Sequence, residues 1–420
     1  MANLPQLKTM NESKNEKPFY NSTIPSDWEV KPLGLLGTFS KGKGILKEQV
    51  TSEGFPCVRY GEIYTTHEFI IKEFKSFIVE AVAKESLEIK NGDILFAGSG
   101  ETVDEIGKAV AFIGKEKAFA GGDVIVLSTN EDVNCECLSF ALETDFSRRQ
   151  KRVLGQGNSV VHIYPRDLAK LKIPLPPLPE QKAIAHVLSL MDSVINQHNQ
   201  LIAQKNARKK WLMQNLLTGK KRLKGFSDEW KEIHIRDVSK EVSIRNKADK
   251  QMTVLSCTKH HGLVPSLEYF GRKIFSDDVS TYKIVPKNHF AYATNHIEEG
   301  SIGYQERFDE ALISPMYTVF KTYEAINDFY FFKLLKSHRL IHEYNARMEG
   351  SIDRRGGLRW EAFSIIKIHI PTLAEQTAIA QILQSADKEI TLLKTKTEKL
   401  REQKKWLMQQ LLTGKKRLKI

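Results

Sequence analysis

PEQKAIAHVLSLMDSVI, starting at Pro179, returns as AEQTAIAQILQSADKEI from Ala374, and KKWLMQNLLTGKKRLK from Lys209 returns as KKWLMQQLLTGKKRLK from Lys404. Both pairs stand 195 residues apart, and over residues 180–224 about half of the positions are identical to the second copy without a gap. Segments this complex do not recur through compositional bias, so the chain is an internal duplication. Within each copy apolar residues fall at alternating spacings of four and three, the signature of a helix with one narrow seam. In the first copy the seam runs Ile184, Leu188, Met191, Ile195, His198, Ile202, Lys205, Lys209, Leu212, Leu216. The second has Ile379, Leu383, Ala386, Ile390, Leu393, Leu400, Leu407 and Leu411, interrupted by Thr397 and Lys404. Pro179 suits a first helical turn, and Gly219 and Gly414 suit left-handed caps after a lysine-rich end. Each helix should span about 38 residues, or about 57 Å at 1.5 Å per residue.

The segments before the helices differ from each other yet share an outline. Each opens near a tryptophan, Trp28 or Trp230, and continues as short β-rich runs broken by Gly, Asn and Pro. GDILFAG, DVIVLST and KIPLPPL are strand candidates in the first, and KNHFAYAT, MYTVF and IIKIHIP in the second. The class is therefore α+β, in the order globule, helix, globule, helix. Domain limits fall at 19–177 and 220–372 for the globules and at 178–219 and 373–414 for the helices. A polar disordered tail is expected over 1–18 and a basic tail over 415–420. Two helices of equal length bury their seams most simply as an antiparallel coiled coil, which gives a pseudo-twofold rod with a globule at each end and the termini close together.

Composition bounds the function. The 420 residues suffice for several cores, and 63 Lys and Arg against 51 Asp and Glu give +12, which favours nucleic acid or an anionic membrane as partner. No apolar run approaches the roughly 18 to 20 residues of a membrane span, and the polar N-terminus lacks a signal peptide's apolar core, so a cytoplasmic protein without a membrane partner is expected. Cys57, Cys135, Cys137 and Cys257 have neither a disulfide framework nor zinc-site spacing. A protein with two unlike globules on one rod can touch two unlike DNA half-sites at a fixed separation, as a homodimer reads a palindrome.

The Trp-opened globule, the GDIL strand with its Gly-rich turn, the EQ-x-AIA helix start and the KKWLMQ-x-LLTGKKRL ending together resemble the specificity subunit of type I restriction-modification systems, from about Ser26 to the end. The resemblance implies two target-recognition domains, each reading half of a bipartite site in double-stranded DNA, with the two helices as a ruler. It implies docking of two methyltransferase subunits, which carry S-adenosylmethionine and methylate adenine, and of two restriction subunits, which use ATP and Mg. This chain would hold no cofactor and catalyse nothing.

Motifs that suggest catalysis fail on their own chemistry. GTFSKGKG (37–44) nearly matches a phosphate-binding loop, but Gly44 stands where the magnesium-binding hydroxyl belongs. Its Lys41 and Lys43 either approach a DNA phosphate or sit in a solvated loop. FAGSG (96–100) would suit a methyltransferase cofactor turn, yet no Asn-Pro-Pro-aromatic segment follows to hold a flipped base. Asp93, Glu101, Asp104 and Glu105 lack the carboxylate-x-lysine partner of a metal-dependent nuclease. A stand-alone methyltransferase or nuclease is thus the alternative with missing parts, and a plain coiled-coil adaptor would not need two such globules. Lys259, His260 and His261 form either a base-reading loop or a plain surface loop, and no metal site is expected of them.

Basic runs beside glycines are the best DNA candidates. SRRQKRVLGQGNSV supplies Arg148, Arg149, Lys151, Arg152, Gln156 and Asn158, phosphate neutralisers together with amides able to read adenine edges. RMEGSIDRRGGLRW supplies Arg347, Arg354, Arg355 and Arg359 at the matching place in the second globule. The repeated helix ends, Lys209, Lys210, Trp211, Lys220, Lys221, Arg222 and their copies Lys404, Lys405, Trp406, Lys415, Lys416, Arg417, suit a partner bound twice, one methyltransferase subunit per copy. The two tryptophans would be interface anchors or would pack where helix meets globule.

Overall fold

The computed structural model describes residues 7–9, 16–20, 22–157, 160–247, 250–348 and 357–419. The chain divides into two compact units, Met1–Asn199 with Lys396–Ile420, and Gln200–Thr395. The two long helices, Leu178–Leu216 and Leu373–Leu411, are each 39 residues and contribute a segment to both units.

In the first unit an antiparallel sheet orders Ala109–Ala111, Asp93–Ala97, Val124–Thr129 and Gly37–Lys41. A second sheet orders Ser76–Ile78, Phe55–Val58, Ala118–Ala120 and Leu87–Ile89, with one parallel pair. Asp93–Ala97 is buried along its whole length because both faces are covered, which is why GDILFAG reads as a continuous apolar run. Lys172–Leu175 pairs with Glu29–Pro32 and delivers the chain into the first long helix.

The second unit repeats this plan. Ser239–Glu241, Tyr317–Thr322, His289–Ala293 and Ile302–Gln305 form one antiparallel sheet, and Ile244–Arg245, Lys283–Pro286 and Glu310–Ile313 another. Lys367–Ile370 pairs with Lys231–His234 before the second long helix begins. All six strand candidates in the sequence are strands.

Each globule also holds a pair of short helices that the sequence reading overlooked, Cys135–Leu142 with Asp145–Leu154, and Asp328–Leu335 with His338–Arg347. Their starts carry side-chain caps from Asn134, Thr144, Asn327 and Ser337, each satisfying an early backbone N–H.

Within each unit the two helix segments run antiparallel. In the first, Ile184 and Leu188 share a core with Met408, Leu411 and Leu412. In the second, Leu216 joins Ile379, Ala380 and Leu383. Gly219 and Gly414 follow the helices at φ +70° and +71°, the left-handed caps expected of them.

The N-terminal tail departs from expectation. Leu7–Thr9 is a strand paired with Lys416–Leu418, and Glu16–Phe19 forms a hairpin with Ser22–Pro25. Polarity alone marked these stretches as disordered, but Leu418 is buried in the first unit's core, which fixes a strand whose free edge the N-terminal segment completes. The rest of 1–18 lies outside the described residues. Among the described residues no helix is long and apolar enough to cross a membrane.

Candidate nucleic-acid and partner interfaces

The duplicated EQ pair explains how each globule is fixed to the helices. Glu180 is buried at the start of the first helix, where its carboxylate accepts from Trp28 Nε1 at 3.1 Å and from Arg417 Nε and Nη2 at 2.9 and 2.6 Å. Its copy Glu375 accepts from Trp230 Nε1 at 3.3 Å and from Arg222 Nε and Nη2, both at 2.7 Å. The neighbouring glutamines complete the junction. Gln181 Oε1 accepts from the backbone N–H of Asn134 at 2.8 Å, and Gln376 Oε1 from that of Asn327 at 2.9 Å. Bidentate Arg–carboxylate geometry of this kind adds direction as well as energy.

A second repeated contact lies in the seam. Lys404 meets Asp192 at 2.5 Å with both side chains buried, and its ammonium stands 3.8 Å from the ring centre of Phe69. In the other unit Lys209 pairs with Asp387, which also accepts from Lys333 at 2.8 Å. Burial pushes the Lys404 ammonium's pKa down, and Asp192 works against that shift. The Asp387 carboxyl lies below its ordinary value: burial would raise it, but the hydrogen bonds from Lys209 and Lys333 outweigh that. Glu180, Gln181, Asp192 and their copies were missed as sites. The available signal was identity of charged and amide residues across the duplication, on helices whose central residues 196–208 share no identity with 391–403.

These contacts redistribute the sequence candidates. Lys151 cannot meet DNA: it is buried and bound to Glu143 at 2.8 Å and to the carbonyl of Gly107 at 2.9 Å. The run it belongs to is the helix Asp145–Leu154 rather than a loop, with one face turned into the core. Arg148 and Arg152 are exposed but paired with Glu143 and Asp104. Arg149 is exposed and has no acid partner among the described residues. Gln156 is exposed, its backbone bridged to His162. Asn158, Arg354 and Arg355 lie outside the described residues. Lys41 ends a strand 3.9 Å from Asp123, and Lys43 follows it, exposed. GTFSKGKG is thus largely strand, without the helix a phosphate-binding loop precedes. Lys259, His260 and His261 form the exposed tip of a hairpin. Arg347 closes its helix beside Glu343, and Arg359 is exposed at a helix N-cap.

The repeated helix ends split in two. Lys404 is corrected from partner contact to buried seam residue, and Lys209, Arg222 and Arg417 are occupied by Asp387, Glu375 and Glu180. Lys210, Lys220, Lys405 and Lys415 stay exposed. Trp211 and Trp406 are 46% and 49% exposed, so they do not pack into the helix–globule junction. Lys221 covers the first indole at 4.9 Å and Lys416 the second at 4.7 Å, the same cation–π pair twice.

A duplicated globule-and-helix unit with repeated junctions defines the class: residues 25–207 and 227–402 both match the type I restriction modification DNA specificity domain. The chain belongs to that family, and it is a specificity subunit, a non-catalytic DNA-recognition component. It is similar to the type I restriction enzyme MjaVIII specificity subunit of Methanocaldococcus jannaschii, 26% identical over 436 aligned positions that cover 97% of each chain. The EcoKI specificity subunit of Escherichia coli matches at 25% over 180 residues, 40% of this chain and 37% of that one. In fold it is similar to the S subunit crystal structure from M. genitalium, with a TM-score of 0.56 and 17% identity over 95% of this chain and 99% of that one. A structure describing complex assembly and conformational transition of the type I system gives 0.59, again at 17% identity, over 95% of this chain and all of the other.

Proposed function

We propose that the chain reads a bipartite, asymmetric target in double-stranded DNA. Residues 19–177 and 220–372 are the two target-recognition domains, and 178–219 and 373–414 are the helices whose length sets the gap between half-sites. The observation that carries this reading is the repeated junction, Trp28–Glu180–Arg417 and Trp230–Glu375–Arg222, which attaches two unlike globules to helix starts in the same way. Identical attachment with divergent readers is what a protein needs to present different half-sites in equivalent orientations.

In this reading the exposed cations Lys41, Lys43, Arg149, Lys259 and Arg359 supply phosphate contacts. Trp211 with Lys221 and Trp406 with Lys416 anchor two methyltransferase subunits, one per repeat, since exposed Trp is the residue type most often dominant at an interface. Those subunits carry S-adenosylmethionine and methylate adenine. Two restriction subunits using ATP and Mg join them, and the complex works in the cytoplasm on the cell's own DNA.

Methyl-transfer assays test this. The pure chain is expected to transfer no methyl group from S-adenosylmethionine to DNA, and addition of a cognate methyltransferase subunit to give transfer confined to one bipartite sequence. Transfer by the chain alone would overturn it. Trp211→Ala and Trp406→Ala, separately, should each weaken methyltransferase association without lowering the melting temperature.

A further inference from the structure

Residues 267–274 of the second unit are eight exposed positions in succession, and four are large and apolar: Leu267 at 57%, Tyr269 at 47%, Phe270 at 43% and Ile274 at 49%. Scattered exposed apolar side chains are ordinary, but a contiguous group marks an interaction surface. Among the described residues of the first unit the exposed large apolar side chains, such as Leu46, Val79 and Ile113, form no such run.

The start of the run is anchored by the hairpin that precedes it. Leu255–Thr258 and Gly262–Pro265 make a hairpin that leads straight into the short helix Ser266–Phe270, which Gly271 ends at φ +64°. Lys336 Nζ donates to the carbonyl of Lys259 at 2.9 Å, pinning the turn. Gly303 lies so near the hairpin that a Cβ there would stand 2.5 Å from the backbone nitrogen of Leu263. At the tip the rings continue one another, His261 to Tyr269 at 5.6 Å and Tyr269 to Phe270 edge-on at 5.0 Å.

Charge selects the partner. Between residues 259 and 273 the cations are Lys259, Arg272 and Lys273, with His260 and His261 beside them, and the single acid is Glu268. Lys273 pairs with Asp277, whereas Lys259 and Arg272 are exposed with no acid in salt-bridge reach among the described residues. Apolar rings flanked by free cations suit a polyanion whose interior is a stack of flat bases. An acidic protein could answer the cations and the rings alike, but the patch is continuous with Lys259, which in the DNA-specificity reading already meets DNA phosphate, and that continuity favours DNA.

We propose that this hairpin and helix form a wedge against duplex DNA, with Tyr269 and Phe270 pressed into a base step of the second half-site and Lys259 and Arg272 on the adjoining phosphates. The proposal rests on the DNA-specificity reading and adds how the second half-site is chosen. Apolar wedges partly unstack a step and kink the duplex, and pyrimidine–purine steps yield most readily. The second half-site should therefore contain such a step where the rings enter, and the first should show no such requirement.

The test uses the full chain with its methyltransferase partner and no S-adenosylmethionine, on the duplex the parental complex selects. 2-Aminopurine is placed in the second half-site, away from the methylated adenine. The parental complex should raise its fluorescence. Tyr269→Ser with Phe270→Ser should keep the melting temperature, abolish the fluorescence rise and weaken binding about tenfold, in the range of one lost stacking contact, while first half-site preference stays unchanged. Lys259→Ala with Arg272→Ala should lower the salt dependence and leave the fluorescence rise at saturating protein. A folded serine variant with parental affinity and fluorescence would overturn the wedge. So would one that instead lost the methyltransferase subunit, which would make the patch a protein-docking face. A parental complex that selected no sequence would refute the DNA-specificity reading itself, and the parental control separates that failure from failure of the wedge.

Discussion

Removing one heptad from the middle of each long helix tests the ruler, and the ion pairs dictate where to cut. Deletions that took Lys209 or Lys404 would strand Asp387 or Asp192 without a seam partner and confound spacing with stability. Residues 197–203 and 392–398 avoid both pairs and remove together the contact between His198 and Thr397, 3.5 Å apart. Seven residues complete nearly two helical turns, so the seam keeps its phase and the variant should unfold cooperatively. The loss in length is about 10 Å at 1.5 Å per residue, close to three base pairs at about 3.4 Å each. Three base pairs also turn the duplex by about 100° at about 10.5 per turn, so the second globule would meet the wrong face of its half-site. Specific sites are bound about 10³ to 10⁷ times more tightly than random DNA. If each half-site supplies half of that free energy, losing one weakens binding by about 30- to 3,000-fold. Duplexes with systematically varied gaps, bound by the chain together with the methyltransferase subunit proposed for it, give the readout. The parental gap should lose affinity and a gap about three base pairs shorter should become the optimum. A folded deletion variant that still bound the parental gap with near-native affinity would refute the ruler.

Four further outcomes follow from particular residues. Lys404→Ala should destabilise by about 3–5 kcal/mol in urea unfolding, because Asp192 is left buried and unpaired, and Asp192→Leu with Lys404→Leu should recover most of it. The Asp387 carboxyl is depressed in the fold, so its contribution is present above its ordinary value of 3.8 and lost as pH falls below it. Asp387→Asn should therefore be less stable than the parent at neutral pH and converge with it in acid, whereas parallel curves would contradict the assignment. Arg149→Ala should reduce the slope of log affinity against log salt by about 0.9. Lys151→Met should change folding stability and leave that slope alone, since its ammonium is held by Glu143 and Gly107.

The repeat and seam made the long helices legible, since a period of seven over five turns or more has few alternative readings. The strands were legible for the same kind of reason, as apolar runs bounded by Gly and Pro. What sequence could not separate was the two uses of a lysine. Lys404 and Lys405 are adjacent and chemically identical, yet one is buried on Asp192 beneath Phe69 and the other is exposed. The difference is set by Asp192, 212 residues away in the chain, and by helix phase. SRRQKRVL misled for a related reason. A short amphipathic helix with Lys151 on its buried face carries the same letters as a basic loop, and only the cap at Thr144 announces it. The junction residues were visible as repeated letters, but their meaning depended on Trp28 and Arg417 arriving from opposite ends of the sequence.

Bipartite reading by two unlike globules can be measured by selecting random duplexes with the chain and a cognate methyltransferase subunit, then mapping the methylated sites. The expected result is two unlike sequence blocks separated by a gap of fixed length and indifferent sequence, with no methylation when this chain is omitted. A single uninterrupted motif, or two blocks at freely varying distance, would contradict it.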